Sequence, residues 1–100
     1  HIDRLNWMDF SIEELKRIEE LAMDLMSPSE IGVLLGYDQK GFEDEVRSNG
    51  TQAYEVYRRG AVTTLHQVRR TLLDAAAAGS PFAIQKVCDF ALTIQGMIET

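Results

Sequence analysis

Residues 27–47, SPSEIGVLLGYDQKGFEDEVR, decide the fold of this 100-residue chain. Ser27 begins a Ser-x-x-Glu capping box, and Pro28 suits the first position of a helix, where no amide hydrogen is needed. Gly36 can take the left-handed conformation that ends a helix, and Asp38 is a good N-cap for the next one. The stretch therefore predicts two short helices joined by a tight turn.

The same stretch has the spacing of a helix-turn-helix unit. Such a unit needs a small residue where the second helix crosses the first, and a residue tolerant of positive φ four positions later. Gly32 and Gly36 supply this pair. The expected inward side chains are Ile31, Leu35, Phe42 and Val46. Glu45 departs from the pattern, which usually has an apolar residue there, and leaves open whether the second helix is rotated or irregular.

The second helix of the unit is expected to expose a polar face. Its members are Gln39, Lys40, Glu43, Asp44, Glu45 and Arg47. Because Gln39, Lys40 and Arg47 carry donors that can reach base edges or phosphates, they are candidate DNA-binding residues. Three consecutive acidic residues would repel phosphate, so a helical corner facing solvent or a protein partner is the competing interpretation.

Upstream of this unit, Ser11 and its Ser-x-x-Glu spacing mark the start of an acidic amphipathic helix. Its apolar residues recur at three- and four-residue steps and are Ile12, Leu15, Ile18, Leu21 and Leu25. The sequence leaves open whether Trp7 and Phe10 fold back onto this helix or form a loose tail. Residues 1–50 thus form a predicted N-terminal helix-turn-helix region.

Downstream, residues 51–100 predict a long antiparallel helical hairpin. The pattern is helical from Thr51 to Ala78, and the sequence Gly-Ser-Pro at 79–81 ends that helix and starts the last one. A connection this short makes the two helices antiparallel neighbours. Since no strand-like alternation occurs, the expected fold class is all-α, with about five helices in a single compact chain.

The long helix combines an apolar seam with a basic ridge. The expected seam comprises Tyr54, Tyr57, Ala61, Leu65, Val68, Leu72 and Ala75. The ridge comprises Arg58, Arg59, His66, Arg69 and Arg70. It extends over about 16 Å of helix, which suits several phosphates. Salt bridges to the acidic first helices explain the ridge equally well.

The last helix is apolar over an arc of about 220°, whereas a surface helix needs somewhat more than about 100°. The residues assigned to an oligomer interface are Phe82, Ile84, Val87, Phe90, Ala91, Ile94, Met97 and Ile98. One hairpin partner cannot cover so wide an arc. Either the helix is central in its own domain or its second face contacts another subunit, and we favour the subunit contact. A repeated head-to-tail contact would generate a ring.

Composition and charge narrow the classes of function. The chain is 45% hydrophobic and 26% charged, which is ordinary for a globular domain, and no apolar run approaches the length of a membrane span. Its single cysteine and the lack of a leader-like segment predict the cytoplasm. The net charge of −6 argues against nucleic-acid binding, because proteins with that function usually carry a basic surface. Residues 1–50 hold most of the acidic side chains, however, and four of the ten Lys and Arg residues lie between Arg58 and Arg70.

Catalytic and metal-binding motifs are missing from the sequence. It has no phosphate-binding loop and no glycine-rich dinucleotide fingerprint, and neither His1 nor His66 has a Cys or His at ligand spacing. Cys88 lies on the apolar helix, where a core role is far more common than a nucleophilic one. We therefore expect a protein that is not an enzyme and that uses neither cofactor nor metal.

The order of these features resembles the small subunit of bacteriophage terminases, which recognises DNA for packaging. The resemblance is carried by LMSPSEIGVLLGY at 25–37 with Phe42, by AYEVYRRG at 53–60, and by AGSPFA at 78–83. In that family the N-terminal unit binds packaging-site DNA and the hairpin builds a ring. The resemblance thus implies a phage or prophage protein in a bacterial cytoplasm, with double-stranded DNA, further copies of itself and the terminase large subunit as partners.

Carried over by position, the resemblance places Gln39, Lys40 and Arg47 against DNA and residues 52–98 in the ring. Two other classes of function stay open. One is a helical protein-interaction or assembly module that uses the apolar last helix. The other is a helix-turn-helix transcription regulator, for which we expect a dimer on a palindromic site; similar N-terminal units occur in transposase and regulator families.

Overall fold

A computed structural model describes the backbone of residues 8–99 and the side chains of residues 8–98. The expectation for Trp7 lies outside the described residues. Between residues 8 and 99 the chain forms five α-helices and no strand, which confirms the all-α prediction. The helices are α1 (Ile12–Met23), α2 (Pro28–Leu35), α3 (Gln39–Arg47), α4 (Gln52–Ala77) and α5 (Pro81–Glu99).

The chain divides into two compact units, and the division falls inside α4. The first unit ends at Thr64 and the second begins at Leu65. Helices α1 to α3 and the first half of α4 belong to the first unit, whereas the second half of α4 and α5 form the second. The functional division at residue 50 stays a prediction, because packing within units does not test it.

The starts of the first three helices follow the local capping signals. In α1 and α2 the boxes are reciprocal: Ser11 Oγ accepts from the Glu14 N–H at 3.1 Å, and Ser27 Oγ accepts from the Glu30 N–H at the same distance. Asp38 Oδ2 accepts from the Gly41 N–H at 2.9 Å. Each cap of this kind stabilises a helix by about 1 kcal/mol.

The core of the first unit is built around Phe42. The ring of Phe42 stacks on Tyr37 at 5.3 Å between centroids and meets the edge of Phe10 at 6.1 Å. The buried apolar residues of this core are Phe10, Ile18, Leu21, Ile31, Phe42, Val46, Ala53 and Val56. The inward positions expected for the helix-turn-helix are therefore confirmed, with Leu35 half-buried against the same core. Phe10 folds back onto it.

Two ends of the predicted α1 stripe do not face the core. Ile12 and Leu25 are exposed, whereas Ile18 and Leu21 in the middle of the stripe are buried. The reason is that α1 ends at Met23, so Leu25 lies in the connection to α2, where its φ is +60°. A helical period that is counted through residue 25 therefore extends past the end of the helix.

The expected exposure of Glu45 is wrong, because this side chain is fully buried. Its Oε2 accepts from the Met8 N–H at 3.4 Å, and its Oε1 has no hydrogen-bond partner among the described residues. Since Phe42 and Val46 are buried on the same face, α3 is neither rotated nor irregular. Glu45 simply occupies an inward position that is usually apolar.

The first half of α4 packs through Ala53, Val56 and Gly60, and Tyr57 is the residue of the predicted seam that also packs against the core. Ala53, Val56 and Gly60 are buried, whereas Tyr54 and Ala61 are only half-buried. A Cβ at Gly60 would overlap the carbonyl oxygen of Glu19 in α1. The absent side chain at Gly60 thus lets the two helix backbones approach closely, and the packing stripe follows the small residues.

The second unit is an antiparallel hairpin. Gly79 takes the left-handed conformation with φ +98°, and Ser80 Oγ then accepts from the Ala83 N–H at 3.3 Å to start α5. Farther from the turn, the Arg69 guanidinium lies 4.8 Å from the Phe90 ring centroid. Among the described side chains of α5, Ala83 alone is buried, so most of the apolar arc is exposed within the chain.

The turn between α2 and α3 gives a direct stability prediction at Gly36, which has φ +78° and ψ 23°. A Gly36→Ala substitution is expected to lower the free energy of unfolding by about 1 kcal/mol, because a Cβ is strained in the left-handed region. Gly36→Asn is the matched control, since asparagine tolerates this conformation. Urea denaturation measures both, and equal stability of the alanine variant and the wild type would contradict the argument.

Candidate nucleic-acid interface

Helices α2 and α3 cross closely at Gly32. A Cβ at Gly32 would lie 3.5 Å from both the Gln39 Cα and the Phe42 ring, an ordinary van der Waals distance. An alanine would fit at this crossing, whereas a larger side chain would have to displace Phe42. The turn is closed by the Tyr37 N–H, which donates to the Gly32 carbonyl at 2.9 Å. The two helices therefore have the geometry of a helix-turn-helix unit.

Tyr37 anchors the turn to α1. Its hydroxyl donates to Glu14 Oε2 at 2.7 Å. Burial, together with this bond to Glu14, raises the pKa of Tyr37 to about 12, so the phenol stays a donor at neutral pH. The Ser11 N–H, and next the Tyr37 hydroxyl, lower the pKa of Glu14. Both partners thus keep the protonation states that the bond requires.

The outer face of α3 carries a continuous polar line, which we call the α3 stripe: Gln39, Glu43 and Arg47. Gln39 Nε2 donates to Glu43 Oε2 at 3.3 Å, and Arg47 lies 3.6 Å from Glu43 Oε1. Gln39 Nε2 also donates to Ser29 Oγ on α2. The side chains are therefore linked to one another and to the neighbouring helix.

Lys40 lies beside the α3 stripe and forms its own pair. Its Nζ is 3.7 Å from Asp44 Oδ1, and 86% of the lysine side chain is exposed. Each cation of α3, Lys40 and Arg47, thus faces a carboxylate one turn away. Exposed pairs of this kind contribute about 0–1 kcal/mol, so they do not prevent either cation from meeting a phosphate. With Glu45 buried, Glu43 and Asp44 are the acidic side chains of α3 that remain near the surface.

In the first unit, α4 contributes two of the ridge arginines. Arg59 binds Glu19 on α1 through two hydrogen bonds of 3.0 and 3.2 Å, and this contact lowers the pKa of the Glu19 carboxyl. The salt-bridge interpretation of the ridge thus fits Arg59. Arg58 lies over the Tyr54 ring at 5.3 Å from its centroid and has no carboxylate partner among the described residues. Its in-plane N–H donors are accordingly open to a phosphate.

In the second unit, the ridge residues also have different surroundings. Arg69 lies over Phe90, Arg70 Nη2 is 3.3 Å from Asp74 Oδ1, and His66 is exposed. Within the described chain, Arg69 has no ion-pair partner, whereas Arg70 has one on its own helix. The DNA-binding role of the five ridge residues stays a prediction.

The hairpin presents apolar grooves on opposite faces. One groove is lined mainly by Leu73, Val87, Phe90, Ala91, Ile94 and Ile98, and the other mainly by Val68, Thr71, Leu72, Ala75, Phe82 and Ala83. Phe82 and Ala91 are nine residues apart, which places them about 180° apart around α5. We call these the Ile94 groove and the Phe82 groove.

Six of the eight predicted interface residues of α5 line these grooves, whereas Ile84 and Met97 line neither. Val87 and Phe90 are half-buried within the hairpin, and Ile84, Ala91 and Ile94 are exposed. Exposure is largest at Phe82, Met97 and Ile98, with values of 68%, 68% and 77%. The hairpin therefore exposes a large apolar surface within the single chain.

The described residues hold neither a cluster of metal-ligand side chains nor a membrane-spanning helix. Among residues 8–98, no group of three or more His, Cys, Asp or Glu side chains could hold a metal ion. No helix in the same part of the chain is both long and apolar enough to cross a membrane.

In comparisons with known proteins, no family model, no curated protein and no solved structure matches this chain.

Two residues that shape the candidate interface are not evident in the sequence. Ser29 holds the Gln39 side chain from the neighbouring helix, and Glu43 joins Gln39 to Arg47. The four-residue spacing of Gln39, Glu43 and Arg47 is a signal that could have revealed the α3 stripe. No local signal points to Ser29, because its contact with Gln39 depends on how α2 and α3 cross.

Proposed function

We propose that this chain is a DNA-binding subunit that acts without catalysis and works as an oligomer, as in the phage packaging proteins that it resembles. The observation that carries the proposal is the helix-turn-helix with the polar face of α3 exposed. A nine-residue helix supported in this way suits the major groove, where such units place their second helix.

The charge of the chain sets a limit on how this binding works. A net charge of −6 makes the affinity of a single subunit for a polyanion weak. An oligomer multiplies weak contacts, because after the first subunit binds, the others meet DNA at a high effective concentration. Lys40, Arg47 and Arg58 in each copy are the cations best placed to supply such contacts.

The hairpin is the part of the chain that we assign to self-association. Helical units shorter than about 40 residues rarely hold together without further support. In this unit Ala83 is the buried residue of α5, and apolar grooves lie on opposite faces. A second copy of the hairpin is the occupant with matching length and apolar character. Grooves on opposite faces favour head-to-tail contacts, which close into a ring when the rotation permits.

Fluorescence anisotropy with labelled duplex DNA tests the proposal. We expect binding at low salt that weakens steeply as salt is added, since counterions are released when phosphates are neutralised. Lys40→Ala should weaken binding to every duplex and lower the salt slope by about one. The control is Lys16→Ala, which removes an exposed charge from α1, outside the candidate interface. Absence of binding at low salt, or equal binding by the Lys40 variant and the wild type, would contradict the proposal.

A second candidate function is a protein-interaction module. It is favoured by α3, where Lys40 and Arg47 are each paired with a carboxylate, so that the helix presents little net positive charge. This function predicts an oligomer or a complex with another protein, without affinity for duplex DNA at low salt. The same anisotropy experiment therefore separates the two candidates.

A further inference from the structure

The carboxylate in the middle of the α3 stripe determines which part of DNA the stripe can face. Glu43 is anionic and lies between Gln39 and Arg47, so the middle of this line of side chains cannot rest against phosphates without repulsion. The floor of the major groove, in contrast, offers amino donors from adenine N6 and cytosine N4. The stripe therefore suits the base edges, while Lys40 on the adjacent line of the helix suits the backbone.

Gln39 has the position of a base-reading residue, and hydrogen bonds already hold its side chain in place. It is the first residue of α3, and the N-terminal residues of a recognition helix are those that reach base edges. Its amide nitrogen is held by Ser29 and Glu43, which fixes the side chain before DNA arrives. No described residue donates to its carbonyl oxygen. That oxygen is thus available as an acceptor.

We propose that Gln39 reads an adenine in the major groove and that Ser29 is its positioning residue. This inference rests on the proposed DNA-binding function. The Gln39 carbonyl accepts from adenine N6. One amide N–H stays on Ser29, and the other turns from Glu43, its longer bond, to adenine N7. Cytosine offers the amino donor without the adjoining acceptor, so the two-bond contact selects adenine over cytosine.

Selection of duplexes from a randomised pool by the wild-type chain tests the inference. The expected result is a site with a preferred adenine, and replacing that A·T pair by G·C should weaken binding about tenfold or more. In Gln39→Ala the same replacement should change the affinity less than twofold. A duplex carrying 7-deazaadenine at this position should also bind more weakly to the wild type, because it lacks the N7 acceptor.

Two further variants distinguish base reading from general loss of affinity. Ser29→Ala should reduce the adenine preference while leaving affinity for unselected DNA unchanged, and Ser29→Thr should retain the preference. Lys40→Ala should weaken all duplexes by the same factor. Because Ser29 is half-buried and Gln39 and Lys40 are exposed, circular dichroism is expected to give wild-type melting curves for these variants.

The outcomes separate this inference from the function on which it rests. Binding of all duplexes with equal affinity would overturn the role of Gln39 and leave DNA binding in place. Retention of the full adenine preference by Gln39→Ala would do the same. Failure to bind any duplex at low salt would instead overturn the proposed function, and the inference with it.

Discussion

Replacing Ile94 with aspartate is expected to dissociate the proposed oligomer into monomers. Ile94 lines the Ile94 groove with Phe90 and Ile98, and it is 41% exposed in the single chain. A carboxylate at this position would lose its water when a second hairpin packs on the groove. A desolvation cost of about 3 kcal/mol raises the dissociation constant by more than about 100-fold. Sedimentation equilibrium over a range of concentrations measures this change.

The matched control for this substitution is Gln85→Asp. Gln85 is exposed, lies on the same helix, and lines neither groove. The Gln85→Asp substitution introduces the same charge but is expected to leave the oligomer intact. An Ile94→Asp variant with the wild-type mass, or equal dissociation of both variants, would show that the groove is not the contact between copies.

The second large effect is expected at Gly60, where alanine should destabilise the first unit by about 2 kcal/mol. A Cβ there would overlap the Glu19 carbonyl oxygen and lie 2.9 Å from the Ala22 Cβ. Because the overlapped atom is backbone, relief requires a shift of α1 against α4. Overlap with backbone lies at the severe end of overpacking, at about 3 kcal/mol, so the gain of nearly 1 kcal/mol that alanine normally brings to a helix interior leaves a net loss of about 2 kcal/mol. We expect the midpoint of thermal unfolding to fall by about 8–16 °C.

Gly32→Ala is the control for Gly60→Ala. Gly32 is also buried in a helix, but its added Cβ would make ordinary contacts of 3.5 Å with Gln39 and Phe42. The alanine there should leave the melting temperature unchanged or raise it slightly. If both variants melt at the wild-type temperature, the close approach of α1 and α4 at Gly60 is not what determines their packing.

The helix starts could be predicted from sequence because their causes are local. Ser11, Ser27 and Asp38 each bind an amide within their own first turn, so the signal and the structure occupy the same few residues. The left-handed turn at Gly36 is similarly local. Such features do not depend on how distant parts of the chain meet, and the structure confirms them.

The packing face of α4 and the burial of Glu45 could not be predicted in this way. Apolar periodicity gives weight to large side chains, whereas α4 meets α1 through Gly60, which has none. Glu45 is charged, so a pattern analysis places it at the surface, although its helical position points inward beside Phe42 and Val46. Tertiary position overrides side-chain type at both places.

The residues of the candidate interface could be proposed from the sequence, but the contacts that connect them could not. Gln39, Lys40 and Arg47 follow from the position of α3 after the turn. The contact of Arg59 with Glu19 joins residues that are 40 apart in the chain, and the bond of Gln39 to Ser29 crosses between helices. Contacts like these depend on the angles at which helices pack, which a single sequence does not specify.

The proposed function requires the hairpin to associate with copies of itself and so gather several helix-turn-helix units on one DNA. Light scattering of the purified chain, coupled to size-exclusion chromatography, tests this requirement. We expect one species whose mass is an integer multiple of 11.3 kDa and greater than that of the single chain. A mass of 11.3 kDa at every concentration would contradict it.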